Sequence, residues 1–307
     1  MSSVKMRDVI IIGGGPAGMT AGLYTARKKL DTLLITSELG GQMLWTEKIE
    51  NYMGVFSASG FELITRFEEQ LNQFAVDIVY DKVLTVHVEG NGCFCVRGEG
   101  DEYWSRSLII ATGKRPRRLG IPGETEFRGR GVAFCVTCDG PFFAGKSVAV
   151  VGGGNSGVQA ALELSGIAEK VILLLRDPLT ADPVLVDKLF QKANIMVMSG
   201  YAVQSIYGGQ EVEKIAVLNL KNGEEAELAV QGVFVEIGLE SNSELVNGVV
   251  ACSDTREIIV DCRARTDIAG LFAAGDVTTG TDKQIVIATG EGAKAALGAY
   301  EYLLHKI

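Results

Sequence analysis

Two kinds of residue pattern in this 307-residue chain could carry chemistry: one close pair of cysteines and two clusters of glycines. Cys135-Val136-Thr137-Cys138 is a C-x-x-C, while Cys93, Cys95, Cys252 and Cys262 are scattered. Without a second close pair, a structural four-cysteine zinc site has too few ligands. Six cysteines are also too few for the disulfide scaffold of a small secreted protein. Redox use of the pair remains, and it requires a thiol that ionises readily. The stretch from Gly131 to Gly140 reads as a turn entering a short helix, where the helix dipole stabilises a thiolate.

The first glycine cluster is Gly13-Gly14-Gly15-Pro16-Ala17-Gly18, in which Gly13, Gly15 and Gly18 satisfy G-x-G-x-x-G. Its chemistry is the binding of a dinucleotide. The first glycine makes the tight turn, the second lets a pyrophosphate approach the backbone, and the third packs helix on strand. The phosphate then lies at the positive end of the helix. The second cluster, Gly152-Gly153-Gly154-Asn155-Ser156-Gly157, repeats the pattern with Gly152, Gly154 and Gly157 about 140 residues later. Two such units imply two dinucleotides, or one dinucleotide and a degenerate site.

The elements that must position these turns are legible on either side of them. Asp8-Val9-Ile10-Ile11-Ile12 is an apolar run suited to a strand buried on both faces. Helical spacing continues from Ala17 to Lys28, and Thr32 to Thr36 supplies the next strand. Ser147 to Val151, a helix beginning near Val158, and Lys170 to Leu175 repeat the plan. Short strands ending in glycine close at Gly113, Gly238 and Gly275, and a long helical pattern runs from about Gln284 to Leu304. This alternation predicts an α/β chain of two Rossmann-like domains. Boundaries are expected near 114 and 243, where the pattern restarts.

Composition narrows the function classes. The chain is 47% hydrophobic and 22% charged, an ordinary globular balance that excludes intrinsic disorder. Its net charge of −9 argues against a nucleic-acid partner. No apolar run approaches the ~20 residues needed to span a bilayer, so no membrane partner is expected. The Val9–Ile12 run is too short for a secretory signal, which leaves the cytoplasm as the expected compartment.

In order and spacing, these motifs resemble the low-molecular-weight thioredoxin reductases and the related reductase component of alkyl hydroperoxide reductase. The resemblance covers essentially the whole chain. It rests on Gly13–Gly18, Gly40-Gly41-Gln42, Glu50-Asn51, Ala111-Thr112-Gly113, Cys135-Val136-Thr137-Cys138-Asp139-Gly140 and Ala273-Ala274-Gly275-Asp276. It implies a three-layer ββα form of both domains. One binds FAD and is made of residues 1–113 and 243–307. The other, residues 114–242, is inserted into it, is of NAD(P)H type, and carries the dithiol. A homodimer and a thioredoxin or thioredoxin-like protein partner are also implied.

Residue by residue, the resemblance places the FAD pyrophosphate on Gly13, Gly15, Pro16, Ala17 and Gly18. Thr36, Gly41, Gln42, Asn51 and Val83 would line the flavin site, with Ala111, Thr112 and Gly113. From the far end come Gly275, Asp276, Lys283, Gln284 and Ile285, with Asp276 on the ribityl or phosphate portion. Gly152, Gly154, Asn155, Ser156 and Gly157 would hold the nicotinamide dinucleotide, with Arg176 and Asp177 at its ribose. Cys138 would be the thiol nearer the flavin, Cys135 the outward sulfur that attacks the substrate disulfide, and Asp139 the acid/base. His87 and His305 are expected at the surface. Cys93 and Cys95 flank Phe94 in a strand pattern and are expected to be packed thiols, and Cys252 and Cys262 ordinary positions.

The sequence also departs from the family. NADPH-dependent members read the 2′-phosphate with a run of arginines, for which bidentate guanidinium–phosphate pairing is the reason. Here the stretch is Leu175-Arg176-Asp177-Pro178-Leu179-Thr180-Ala181-Asp182, with one arginine and an opposing carboxylate. NADH is therefore favoured over NADPH. Gly157, Ala181-Asp182 and Ile287–Gly292 look more like the NADH-dependent peroxide-reducing branch. That branch carries an extra N-terminal redox domain, and with the first glycine turn at residue 13 none is expected here. The runner-up is a ferredoxin-dependent flavin thioredoxin reductase with a vestigial nicotinamide site. A redox-sensing flavin module without turnover is disfavoured by the intact Cys135, Cys138 and Asp139. No metal is expected.

Overall fold

Val9 to Ile12 are buried almost completely, and the strand they form is central to the first half of the molecule. In a computed structural model, which describes residues 5–46, 48–90 and 92–306, the chain opens with β1 (Met6–Gly14), α1 (Pro16–Arg27) and β2 (Thr32–Leu39). Next come α2 (Gly60–Leu71), β3 (Val76–Tyr80), β4 (Val83–Val88), β5 (Phe94–Gly98) and β6 (Glu102–Ile110). β7 (Lys114–Pro116), β8 (Val132–Ala133), α3 (Val136–Asp139), β9 (Ser147–Val151), α4 (Asn155–Leu164) and β10 (Lys170–Leu175) follow. Then come α5 (Pro183–Phe190), β11 (Ile195–Ser199), β12 (Tyr201–Gly208), β13 (Val212–Asn219) and β14 (Glu225–Ala229). β15 (Gly232–Val235), β16 (Leu239–Ser241), β17 (Leu271–Ala273) and α6 (Ile285–Leu304) complete the order.

The chain divides into two compact units, Met1–Arg115 with Glu240–Ile307, and Pro116–Leu239. In the first, β2, β3 and β6 extend the parallel sheet from β1, and β17 pairs with the C-terminal half of β6. The N-terminal half of β6 turns into an antiparallel meander with β5 and β4. Residue alternation along β1 fixes the layers. Val9 and Ile11 face α1 and α6, whereas Ile10 and Ile12 face the side of the meander residues Val86, Phe94 and Val96. Each such side chain contributes about 1.5–3 kcal/mol by leaving water. Ser59 caps α2 by accepting from the Glu62 N–H, while the Glu62 carboxylate accepts from the Ser59 N–H.

The second unit repeats the plan with a parallel sheet in the order β11-β10-β9-β15-β8. Val148 and Val150 face the layer of α4, while Ala149 and Val151 face the separate antiparallel sheet of β12, β13 and β14. Both units are thus Rossmann-like, with helices on one face of the parallel sheet and antiparallel strands on the other. The helix after the second glycine turn starts at Asn155, earlier than the apolar spacing from Val158 suggests. The glycine turn itself supplies its N-cap, Gly154.

Candidate active site: a dithiol and two dinucleotide turns

In the first unit the glycine turn is sterically locked. Gly13 has φ 112°, and a Cβ there would strike the carbonyl oxygen of Ala111. A Cβ on Gly18 would strike the carbonyl of Gly13. Gly15 is the opposite case: nothing lies within 4 Å of a Cβ built on it, so the turn is open on that side. No side chain caps α1, so its first N–H groups have no side-chain acceptor and could receive a phosphate, as the glycine spacing leads one to expect. The Gly14 N–H donates to Thr36 Oγ1 at 3.0 Å, and that hydroxyl donates to the Glu38 carbonyl at 2.6 Å. Thr36 therefore ties the turn to the end of β2.

The first unit also brings together residues from both chain ends. Gln42 Nε2 donates to Asp276 Oδ2 at 3.4 Å, and Asn51 Nδ2 donates to Gln284 Oε1 at 3.1 Å. The Gly275 N–H donates to Glu291 Oε2 at 2.7 Å, and Gly41 lies against Gly15. Lys283 Nζ donates to the Thr278 carbonyl at 2.9 Å and stands 4.0 Å from Glu257, which is ion-paired with Lys114. Burial pushes the Asp276 carboxyl up from its ordinary value, and burial pulls the Lys283 ammonium down. Ile285 packs against the cluster of Met43, Ile49, Ala58, Leu63 and Ile64. The Ala111 N–H donates to the Ile12 carbonyl at 2.8 Å, which sets the 111–113 segment beside the turn. Thr112 exchanges two hydrogen bonds with Asn242, and the Gly113 carbonyl accepts from the Asn242 N–H. Val83, at the start of β4, packs on the core beneath the meander.

In the second unit, Gly152 has φ 145°, and a Cβ there would strike the Glu236 carbonyl; one on Gly157 would strike the Gly152 carbonyl. Gly154 caps α4 without a side-chain hydrogen bond. Asn155 and Ser156 are exposed. The Asn155 amide donates to Asp182 Oδ2 at 3.1 Å, and its oxygen accepts from the Asp182 N–H at 2.8 Å. Arg176 and Asp177 follow β10 directly and are exposed.

The dithiol stands at the same carboxyl edge of this sheet, two residues beyond β8. Cys135 and Cys138 are disulfide-bonded with Cα atoms 5.3 Å apart. Cys135 is the N-cap of α3, and its Sγ accepts from the Cys138 N–H at 3.2 Å. A thiolate on Cys135 would keep that donor. Val136 is buried and anchors the turn, while Cys135, Cys138 and Asp139 are half-buried and accessible. Of the other cysteines, Cys95 is buried and Cys262 exposed, and burial pushes the Cys95 thiol up.

Sequence reasoning missed two carboxylates. Glu38, exposed at the end of β2, lies 20 residues past Gly18, a spacing that marks ribose recognition in dinucleotide folds. Glu236 follows β15, and burial together with the neighbouring Glu163 raises its carboxyl to about 7. No local signal marks Glu236, because its surroundings come from other elements. Among the described residues, no group of three or more His, Cys, Asp or Glu could hold a metal, and no helix is long and apolar enough to cross a membrane.

Comparison with known proteins agrees with this geometry. Residues 7–292 match the family described as pyridine nucleotide-disulphide oxidoreductase. The chain is 45% identical over 303 residues to the alkyl hydroperoxide reductase F subunit of Pseudomonas putida, covering 97% of this chain and 58% of that one. It is 42% identical to a protein named NADH dehydrogenase from Bacillus subtilis, with the same coverages. The structure of thioredoxin reductase from Streptococcus pyogenes superposes with a TM-score of 0.95 at 39% identity, covering 99% of this chain and all of that one. The chain belongs to the pyridine nucleotide-disulphide oxidoreductases.

The chain spans a little over half the length of the curated relatives it matches. The thioredoxin reductase-like members of this family are FAD flavoproteins that use NAD(P)H. The first unit fits FAD: an open Gly15 face, an uncapped helix start, and polar pairs joining both chain ends around it.

Proposed function

We propose that the protein is a flavin-dependent disulfide reductase that delivers electrons through Cys135 and Cys138 to a thioredoxin or thioredoxin-like protein. The observation that carries the reading is the half-buried Cys135–Cys138 disulfide on the same sheet edge as a dinucleotide turn. FAD, which Gly13, Gly15, Gly18 and Asp276 would hold, would supply the relay between an electron donor and the dithiol. In the reduced protein, the Cys135 thiolate attacks a disulfide of the partner, forming a mixed disulfide and releasing one partner thiolate. That thiolate takes a proton, for which Asp139 is the nearest carboxyl in sequence. Cys138 then attacks Cys135 Sγ, restores the internal disulfide and releases the second thiolate, which takes the second proton. Two electrons and two protons have passed to the partner.

NADH is the preferred donor in this reading. By the family resemblance, Asp177 takes the position at which NADPH enzymes carry a phosphate-binding cation, leaving Arg176 alone after the end of β10. A second reading, reduction of a peroxiredoxin-type partner, draws support from the 45% identity to a protein named as a subunit of alkyl hydroperoxide reductase. Anaerobic titration of the flavin-loaded protein with NADH, NADPH and reduced ferredoxin, followed by flavin bleaching, tests the donor. Bleaching by ferredoxin alone would replace NADH with the ferredoxin-dependent alternative. Steady reduction of thioredoxin or of a peroxiredoxin tests the acceptor, and a protein that reduces neither is a sensing module instead. Homodimerisation belongs to the same reading, and sedimentation of the flavin-loaded protein tests it.

A further inference from the structure

Glu236 is a half-buried acid of the second unit. It follows the last residue of β15, and its N–H donates to the Val151 carbonyl at 2.9 Å, which fixes its backbone against the end of β9. Its own carbonyl is the atom that a Cβ on Gly152 would strike. On the other side β15 pairs with β8 through Val233–Val132 and Phe234–Ala133, and two residues farther along each strand stand Glu236 and Cys135. Phe234 lies in the core beneath α4, so alternation directs Glu236 to that same face. No hydrogen bond or ion pair engages its carboxylate among the described residues.

This is the topological switch point of the sheet. β9 sends its chain to β10 on one side, while β15 lies on the other, and dinucleotides cross the carboxyl edge there. With the pyrophosphate on the turn after β9 and the adenosine half toward β10, the nicotinamide half passes over β15. A carboxylate at that place meets the one part of the dinucleotide whose charge changes in the reaction: the nicotinamide ring is cationic when oxidised and neutral when reduced.

We propose that Glu236 is a positioning residue for the nicotinamide half of the dinucleotide, its ionised carboxylate favouring the cationic ring of the oxidised form. The inference rests on the reading of this unit as a nicotinamide site. Ionisable groups on the elements packed around Glu236 are Glu163 on α4 and, beyond β8, Asp139, since Cys135 and Cys138 are joined in a disulfide and do not titrate. β9 and its glycine turn contribute none. A carboxyl that titrates at about 7 is mostly protonated at pH 6 and mostly ionised at pH 8. Affinity for NAD⁺ therefore rises with pH across that window.

The test is calorimetric titration of the oxidised, flavin-loaded protein with NAD⁺ at several pH values. A tetrahydronicotinamide dinucleotide, neutral in its ring and unable to give hydride, serves as the comparison ligand. The Kd for NAD⁺ should fall about five- to tenfold from pH 6 to pH 8, following the ionised fraction, while that for the neutral analogue changes by less than about twofold. Glu236→Gln should flatten the NAD⁺ profile at its pH 6 value. Glu163→Gln, on an exposed face, should move the midpoint to lower pH. A Glu236→Gln protein that keeps the wild-type profile, or a neutral analogue that follows it equally, overturns the inference. If the wild type binds neither dinucleotide at any pH, the nicotinamide reading of the unit fails first, and this inference falls with it.

Discussion

The two glycine turns of this molecule have nearly the same backbone and very different surroundings. Both begin with a glycine at positive φ, 112° at Gly13 and 145° at Gly152, pressed against a carbonyl of a neighbouring strand's end. Both end with a glycine pressed against the first one's carbonyl, and both cap their helices with an extended glycine, at φ −75° and −85°. Around the first turn, residues from both chain ends are tied to one another: Gln42 to Asp276, and Asn51 to Gln284. Around the second, Asn155, Ser156, Arg176 and Asp177 are exposed, and the one reciprocal pair joins Asn155 to Asp182.

The shared motif thus specifies the backbone of a dinucleotide-type turn and nothing about how long an occupant would stay. That is decided at the strand ends. A cradle whose polar groups are already tied to one another suits a resident cofactor, because its side chains are ordered before binding. An open edge suits a dinucleotide that must arrive and leave in each turnover. The dithiol stands on the open edge, where a protein disulfide could also reach it.

The largest expected effect separates the two turns directly. Gly18→Val drives a side chain into the Gly13 carbonyl and should cost about 3 kcal/mol or more, with loss of bound flavin. Gly157→Val makes the equivalent clash with Gly152, yet should leave the flavin absorbance intact while abolishing bleaching by nicotinamide. Should Gly157→Val purify colourless and Gly18→Val yellow, the assignment of the two turns is reversed.

Next in size is the dithiol edge. Asp139→Asn should slow thioredoxin reduction by ~10²–10⁴ with unchanged flavin content, as expected for loss of a proton donor to a leaving thiolate. Cys138→Ser should remove thiolate–flavin charge-transfer absorbance on reduction, while Cys135→Ser should retain it. Stopped-flow absorbance reads both, and a Cys135→Ser protein with wild-type turnover would make Cys138 the attacking sulfur.

At the end of β10 the expected effect is smaller. Asp177→Arg places a second guanidinium beside Arg176 and should shift preference toward NADPH by about 10–100-fold in kcat/KM. An unchanged NADPH-to-NADH ratio would show that this exposed position does not reach the 2′-phosphate.

Much of this architecture is written locally. The strand over Lys170–Leu175 and the long C-terminal helix follow from apolar runs and helical spacing, and the glycine turns from the G-x-G-x-x-G spacing between a strand and a helix. The helix start at Cys135 is legible from the glycine-bounded stretch Gly131–Gly140, which reads as a turn entering a short helix. The three-stranded layer of β12 to β14 is not, since its strands carry mixed polar sequences whose burial depends on the sheet beneath. Nor are Gln42–Asp276 and Asn51–Gln284, pairs separated by more than 230 residues. Glu236 looks like any strand-end acid until the fold sets it beside the end of β9 and near Glu163 of α4.

The smallest effect concerns the antiparallel layers, which differ as the turns do. In the first unit Asp81 gathers the meander: its carboxylate accepts from the N–H groups of Lys82, Glu99 and Gly100, and from Tyr103 Oη at 3.0 Å. In the second unit the comparable cross-strand contact is an exposed ion pair between Lys214 and Glu227 at 2.8 Å. An exposed pair contributes little, so Lys214→Ala should leave the melting temperature nearly unchanged. Tyr103→Phe removes one donor to a charged acceptor and should cost about 1–2 kcal/mol. The pH dependence has a definite sign. Burial, then the bond to Asp81, raises the Tyr103 phenol to about 12 from its ordinary value of 10. Its neutral form is therefore stabilised by folding, a contribution complete below pH 10 and lost as pH rises through about 12. Alkaline denaturation of wild type and Tyr103→Phe should converge toward pH 12, and a constant gap between the two curves would place the stabilisation in packing of the ring instead of its hydroxyl.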